Sequence, residues 1–153
     1  QSRSSAASDV YKRQIMRGAR MLVRGQKLAN LRMSETVIVG RFTDGTDPVT
    51  LEPTRVLVEQ RYPAVGDTSS DAGKARIRWN SREVSNSQAT GSPVVMQEPY
   101  LSVPFGTARL FTDDEVECTV SADPLLVGRR FKISGAAGAG QVTAYRYPLE
   151  ELS

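Results

Sequence analysis

The stretch from Asp113 to Ser134, DDEVECTVSADPLLVGRRFKIS, constrains the fold of this chain more than any other. Val116, Cys118 and Val120 alternate with Glu115, Glu117, Thr119 and Ser121, the period of a half-buried strand. Ala122-Asp123-Pro124 breaks the alternation, because proline fixes φ and cannot donate to a ladder. Leu125, Leu126 and Val127 follow as an apolar plug, and Gly128 lets the chain turn again. Phe131 and Ile133 then point one way, and Arg130, Lys132 and Ser134 the other. Pairing of the two strands puts Glu115 and Glu117 on one outer face with Arg130 and Lys132, where opposite charges add roughly 0.2–1 kcal/mol per pair. The plug outweighs those pairs if all three aliphatic side chains are buried, at about 1.5–3 kcal/mol each. Asp123, Pro124, Leu126, Val127, Gly128 and Phe131 are the expected structural residues of this hairpin.

The flanking sequence reads the same way. Ser34 to Thr43 is a first strand, with Val37 and Val39 on one face and Ile38 on the other; Asp44-Gly45 and Asp47-Pro48 signal a turn. Val49 to Tyr62 is strand material broken by Pro53. Lys74 to Trp79 places Ala75, Ile77 and Trp79 inward and Lys74, Arg76 and Arg78 outward. Val94 to Phe105 puts Leu101, Val103 and Phe105 on one face, and its prolines, Pro99 and Pro104, suggest an edge or a bend. Gln141 to Tyr147 is a last strand, with Val142 and Ala144 opposite Tyr145 and Tyr147, ended by Pro148. Polar loops at 63–73 and 81–93 and the glycine-rich connection 135–140 lie between. The expected fold is therefore mainly β: a small antiparallel β-barrel or sandwich spanning 34–153, preceded by one N-terminal α-helix.

That helix is expected over about 10–33. Ile15, Ala19, Leu22, Ala29 and Met33 form an apolar stripe interrupted by Gln26, and Arg13, Arg17, Arg20, Arg24 and Lys27 form a basic stripe on the opposite side. Gly18 and Gly25 weaken it, and Gly25 suits either a bend or a close approach to a neighbour. Residues 1–14 lack an initiator methionine and resemble translated adapter read-through. They are read as a non-native or disordered arm, which leaves 15–33 as the basic amphipathic helix.

Charge is divided unevenly. Residues 1–33 hold eight of the 20 Lys/Arg and one of the 17 acids, a net +7, which leaves −4 for the remainder against +3 overall. A basic arm on an acidic body implies a polyanion or an acidic partner surface for the arm. Arg17, Arg20, Arg24 and Lys27, with Arg129 and Arg130 on the hairpin, are the candidate interaction residues. The chain contains no histidine, which removes the commonest general base and metal ligand and argues against an enzyme. Its single cysteine, Cys118, reads as a small core residue and excludes an internal disulfide, which suits assembly inside a cell. No apolar run approaches a membrane span, so no membrane partner is expected.

Other motifs point to nothing sharper. Asp113, Asp114, Glu115 and Glu117 do not match a calcium loop. Gly135, Gly138 and Gly140 lack the lysine and the following helix of a phosphate loop. Arg76 and Arg78 beside Trp79 hint at an OB-like nucleic-acid face, but the inward position of Trp79 favours core. No metal or cofactor is expected.

The run DPLLVGRRFKI, preceded by LSVPF at 101–105, resembles small proteins of actinobacterial tailed phages, the head-to-tail stopper (head-closure) or head–tail connector proteins. The resemblance spans about 16–151. It is specific at 123–131 and in the strand ending Val103-Pro104, and weaker at RGQKLANLRM (24–33) with SETVIVGR after it. The chain departs from the pattern in its 63–73 and 135–140 loops and in its last strand, where Tyr145-Arg146 stands for the usual aromatic–arginine ending. The resemblance implies a structural virion protein that forms a ring of copies below the portal, closes the DNA channel and docks the tail. Its partners would be further copies, a portal or adaptor protein, a tail protein and packaged double-stranded DNA. A tail terminator or another head-completion adaptor is the alternative, and an OB-like nucleic-acid-binding domain stands behind both.

Overall fold

In the computed structural model, which describes residues 2–84, 94–138 and 143–152, a helix α1 (Ser2–Leu31) precedes β1 (Glu35–Thr46), β2 (Pro53–Tyr62), β3 (Lys74–Val84), β4 (Val94–Pro104), β5 (Glu115–Val120), β6 (Arg130–Ile133) and β7 (Ala144–Leu152). Six strands close an antiparallel barrel in the order β1-β3-β4-β7-β6-β5 and back to β1, and β2 pairs with β1 outside it. The closing seam joins Val37 to Cys118 and Val39 to Val116, and the Thr119 hydroxyl donates to the Thr36 carbonyl at 3.1 Å.

The hairpin at the centre of the sequence argument forms as expected, with Glu115 opposite Lys132, Val116 opposite Phe131 and Glu117 opposite Arg130. The alternation in each strand sets the core. Val37, Val39, Ala75, Ile77, Leu101, Val103, Val116, Cys118, Phe131 and Ile133 are all fully buried, and Tyr147 and Leu149 join them from β7. Trp79 packs against this cluster and meets Phe131 edge-on at 6.1 Å.

The plug is one residue rather than three. Leu126 is 3% exposed, while Leu125 is 80% and Val127 46% exposed. The tightness of the turn explains this. The Asp123 carboxylate accepts from the Leu125 N–H at 3.0 Å, the Asp123 carbonyl from Leu126 N–H at 3.1 Å, and the Cys118 carbonyl from Gly128 N–H at 2.8 Å. Gly128 adopts φ 82°, which a side chain resists. In so short a loop only one side chain can turn under the barrel end. Pro124 lies exposed on its outer side.

Other expectations shift with closure. Asp44-Gly45 is not a turn: it continues β1, and Gly45 is needed because a Cβ there would lie 2.6 Å from Val56 Cγ2. The turn falls at 47–52 instead, where the Asp47 carboxylate accepts from the Val49 N–H at 2.8 Å and the Thr50 N–H at 3.2 Å, so Val49–Glu52 is not strand. Pro53 opens β2, a position that needs no ladder donor. β4 is not an edge, since it pairs with both β3 and β7; Pro99 precedes the β7 pairing and Pro104 ends the strand. Phe105 lies beyond that end and leaves the inner face, stacking on Tyr145 at 5.3 Å.

Pro148 does not end the last strand. It sits where β7 passes from β4 to β6: Tyr100 pairs with Pro148, and Ile133 with Leu149. Its carbonyl still accepts from Ser134 N–H at 3.0 Å. Of the expected last strand, Gln141 and Val142 lie outside the described residues, as do Gly140 and most of the 81–93 loop; Ser81–Val84 belong to β3. Finally, α1 starts at Ser2 rather than near residue 10, so the described part of 1–14 is helix, consistent with a run that contains no proline or glycine.

Candidate interaction surfaces

Helix α1 touches the barrel only near its C-terminal end. Gly25, Gln26, Ala29 and Asn30 are half-buried and Met33 is buried, whereas every residue from Ser5 to Arg24 is exposed. Gly25 is there for close approach: a Cβ on it would meet Thr143 Cγ2 at 3.0 Å. At 3.6 residues per turn, Ile15, Leu22 and Ala29 share one face. The face that seats Ala29 and Met33 on the barrel therefore continues outward through Leu22, Ile15 and Tyr11 with nothing against it among the described residues. Ile15 is 53% and Leu22 40% exposed. Arg17, Arg20, Arg24 and Lys27 lie on the opposite side, and none forms an ion pair with a described residue.

Arg129 and Arg130 are placed differently. Arg129 pairs with Glu151 and lies over the Trp79 ring at 5.5 Å. Arg130 stacks on Phe42 at 4.5 Å and stands 3.8 Å from both Glu115 and Glu117. Both serve to hold the barrel's own strands together. Sequence order separates them from the arginines of α1, and the structure does not bring the two sets together.

The acidic run 113–117 is likewise occupied by cations of the chain itself. Asp113 pairs with Lys132 at 3.1 Å, which raises the Lys132 pKa. Asp114, 2% exposed, receives the Arg61 guanidinium at 2.8 Å and the Phe111 N–H at 2.9 Å. Arg61 also stacks over the Phe111 ring at 4.5 Å. Glu115 pairs with Arg55, which also reaches Asp44 at 2.6 Å. No cluster of metal-ligating side chains occurs among the described residues, and no helix of the structure is long and apolar enough to cross a membrane.

The pair between the buried Glu35 and the partly exposed Arg78 (2.7 Å), the Arg61–Asp114 pair and the buried Leu110 are features the sequence did not announce. Their partners are far apart in the chain, so no local spacing marks them. Burial together with the nearby Glu35 charge pushes the Cys118 thiol up to about 11, which leaves it unreactive at neutral pH.

β1 and β2 run on past the barrel as a ribbon whose turn carries Val49, 87% exposed, and Leu51, 76% exposed. Exposed apolar side chains also stand on the 63–73 loop, at Val65 (82% exposed), and on the β5–β6 turn, at Leu125. The 63–73 loop is exposed but folds back, with Gly73 pressed against the β1 backbone at Val37.

Fold and surfaces together define a small closed-barrel protein with an overhanging basic helix. The chain belongs to a family of unknown function, DUF6093, whose model matches residues 25–150. That match contains the barrel up to Glu150 of β7 and the part of α1 that touches it; Arg17, Arg20 and Arg24 precede it. No curated protein and no solved structure matches the chain.

Proposed function

We propose that this chain is a structural protein of the head–tail interface of a tailed-phage virion, acting as a ring of copies that closes the DNA channel below the portal and receives the tail. The resemblance at 101–105 and 123–131 supplies the virion assignment. The single observation that supports assembly is the overhang of α1. A helix with an uncovered apolar stripe is stable when something covers that stripe, because most helix stability comes from packing an amphipathic face. The body available is a second copy. Its barrel side carries the −4 that complements the +7 of residues 1–33, so charge steers the helix of one copy onto the barrel of the next.

The test is charge reversal. Arg17, Arg20, Arg24 and Lys27 changed together to glutamate should abolish self-association in light scattering and binding to a portal protein in a pull-down. Unaltered association and binding would rule out this role for the helix. A monomer that instead shifts DNA in a gel, strongly at low salt and weakly at moderate salt, would favour a nucleic-acid-binding domain.

A further inference from the structure

The junction between α1 and the barrel encloses a cleft of about 260 Å³ that gathers Arg32, Arg76 and Arg146 around Ser102. Arg76 on β3 pairs in register with Ser102 on β4, and Ser102 with Arg146 on β7. The three side chains thus form one row across adjacent strands. Their neighbours Ala75, Ile77, Leu101, Val103 and Tyr147 point into the core, so the row faces outward, under the helix. Strands lie about 4.8 Å apart, which sets the two arginine Cα atoms roughly 10 Å apart with Ser102 between them. Arg32, one residue past the end of α1, comes from the opposite wall.

We propose that this cleft binds an oxyanion of the phosphate class. Arg55, Arg61, Arg78, Arg129 and Arg130 each have a carboxylate partner. Arg32, Arg76 and Arg146 have none among the described residues. Glu98 and Glu150 share a neighbouring cleft with Arg146 but form no ion pair with it. The Arg76 Nε atom is buried and has no hydrogen-bond partner, and a buried donor in that condition is costly. Ser102 is 6% exposed, which puts a polar side chain at the floor between the two strand arginines. Arg146 lies over the Tyr100 ring at 5.4 Å, which restrains its guanidinium.

Three planar forks converging on one small space suit an anion with several oxygens and more than one negative charge. Guanidinium binds phosphate through paired N–H donors, and a tetrahedral anion has an oxygen for each of three arginines. The volume holds such an anion and several waters at about 30 Å³ per water. The C-terminal end of α1 opposes an anion with only about half a charge, against three full positive charges. A bound anion would tie Arg32 to β3 and β7, reinforcing the short contact by which α1 is anchored. Whether α1 also meets a second copy is a separate matter; the cleft is built within one chain.

The phosphate group has two sources, free phosphate or the backbone of a nucleic acid. The experiment uses the full chain at low ionic strength and follows the Arg76 Nε–H resonance by NMR and the melting temperature. It is titrated with inorganic phosphate, and separately with a DNA duplex, against chloride of equal ionic strength. A saturable shift of the Arg76 resonance and a rise in melting temperature with phosphate, both at least fivefold weaker in Arg76→Gln and in Arg32→Gln and unchanged in Arg41→Gln, are expected. A DNA-induced shift of the same resonance identifies the backbone as the source; a response to phosphate alone identifies the free ion. If neither probe moves the Arg76 resonance beyond the chloride control, or if Arg41→Gln weakens binding as much as Arg76→Gln, the proposal is overturned. The resonance is read on the unaltered chain, so a variant that fails to fold does not blunt the test. Charge reversal on α1 leaves this readout in place, which separates it from the assembly proposal.

Discussion

Replacing Leu126 with alanine should cost far more than replacing its neighbour Leu125, although the two are identical in type and adjacent in sequence. Leu126 is 3% exposed beneath the barrel end, and Leu125 80% exposed on the outside of the same turn. Removing three buried carbons forfeits about 0.8 kcal/mol each, and the cavity left behind raises the total into the 2–5 kcal/mol range. Because the turn is pinned by hydrogen bonds from Gly128 to Cys118 and from Leu126 to Asp123, it has little freedom to collapse into the gap. About 3 kcal/mol is therefore expected for Leu126→Ala. For a chain of this size that lowers the melting temperature by roughly 6–12 °C. Leu125→Ala should stay within about 0.5 kcal/mol, and Val127→Ala, at 46% exposure, should cost about 1 kcal/mol or less. Urea unfolding followed by circular dichroism on the three variants reads all of these. Equal losses at 125 and 126 would refute the reasoning, because they would mean that both side chains are buried. A Leu125 variant that keeps its stability but loses self-association would instead mark the exposed turn as a contact between copies.

Two further outcomes follow from the barrel and its ribbon. Gly45→Ala brings a Cβ to 2.6 Å from Val56 Cγ2, and forcing that half-exposed side chain off its rotamer costs about 0.5–1.5 kcal/mol. Since this part of the ribbon lies outside the barrel, amide exchange should quicken at 44–46 and 54–56 while Val37 and Val39 keep their protection; uniform loss across β1 would contradict that separation. At high pH, Cys118 holds its proton to about 11 and Tyr62 to about 12, burial being the main cause for each, against ordinary values of 9.0 and 10.0. The folded chain thus binds more protons than the unfolded one between those values, and their contribution to stability, full below pH 9, falls away as pH rises through 9–12. The urea midpoint should drop over that window, and Cys118→Ala with Tyr62→Phe should flatten the drop; an unchanged slope would dismiss these two groups as its source.

What the sequence made legible was strand identity and facing. Simple alternation places Val37 with Val39, Leu101 with Val103, Val116 with Cys118 and Phe131 with Ile133 on a common face and Ala75 with Ile77 inward, and each of these residues is buried. The shared outer face of Glu115, Glu117, Arg130 and Lys132 followed from the same alternation, and the β5–β6 register agrees with it. Closure was not legible as such, because barrel and sandwich share one alternation and differ in which distant strands meet. Pro148 read as a terminator, since nothing local reveals a strand that changes partners at that residue. Leu125 and Val127 read as core because hydrophobicity alone cannot tell which residue of a tight turn points in. For the surfaces, the opposed stripes of α1 were visible in the helical period. The Arg76–Ser102–Arg146 row was not, since it depends on a register between three strands spread over the chain.

The seam between β1 and β5 also governs how this protein can come to be folded. It joins residues near the start of the barrel to residues well past its middle, Val37 with Cys118. A chain emerging from a ribosome can form its helix and its first ribbon early, but it has to wait for β5, β6 and β7 before any wall is complete. Contacts of such long sequence separation slow folding, because a large loop must close before the contact rewards it. During that wait the edge of β1 that later meets β5 stands open, and truncation anywhere before Leu152 leaves it or its neighbours without a mate. Nascent chains should therefore depend on completion of synthesis, and sit longest with a bare strand edge when translation stalls in the second half.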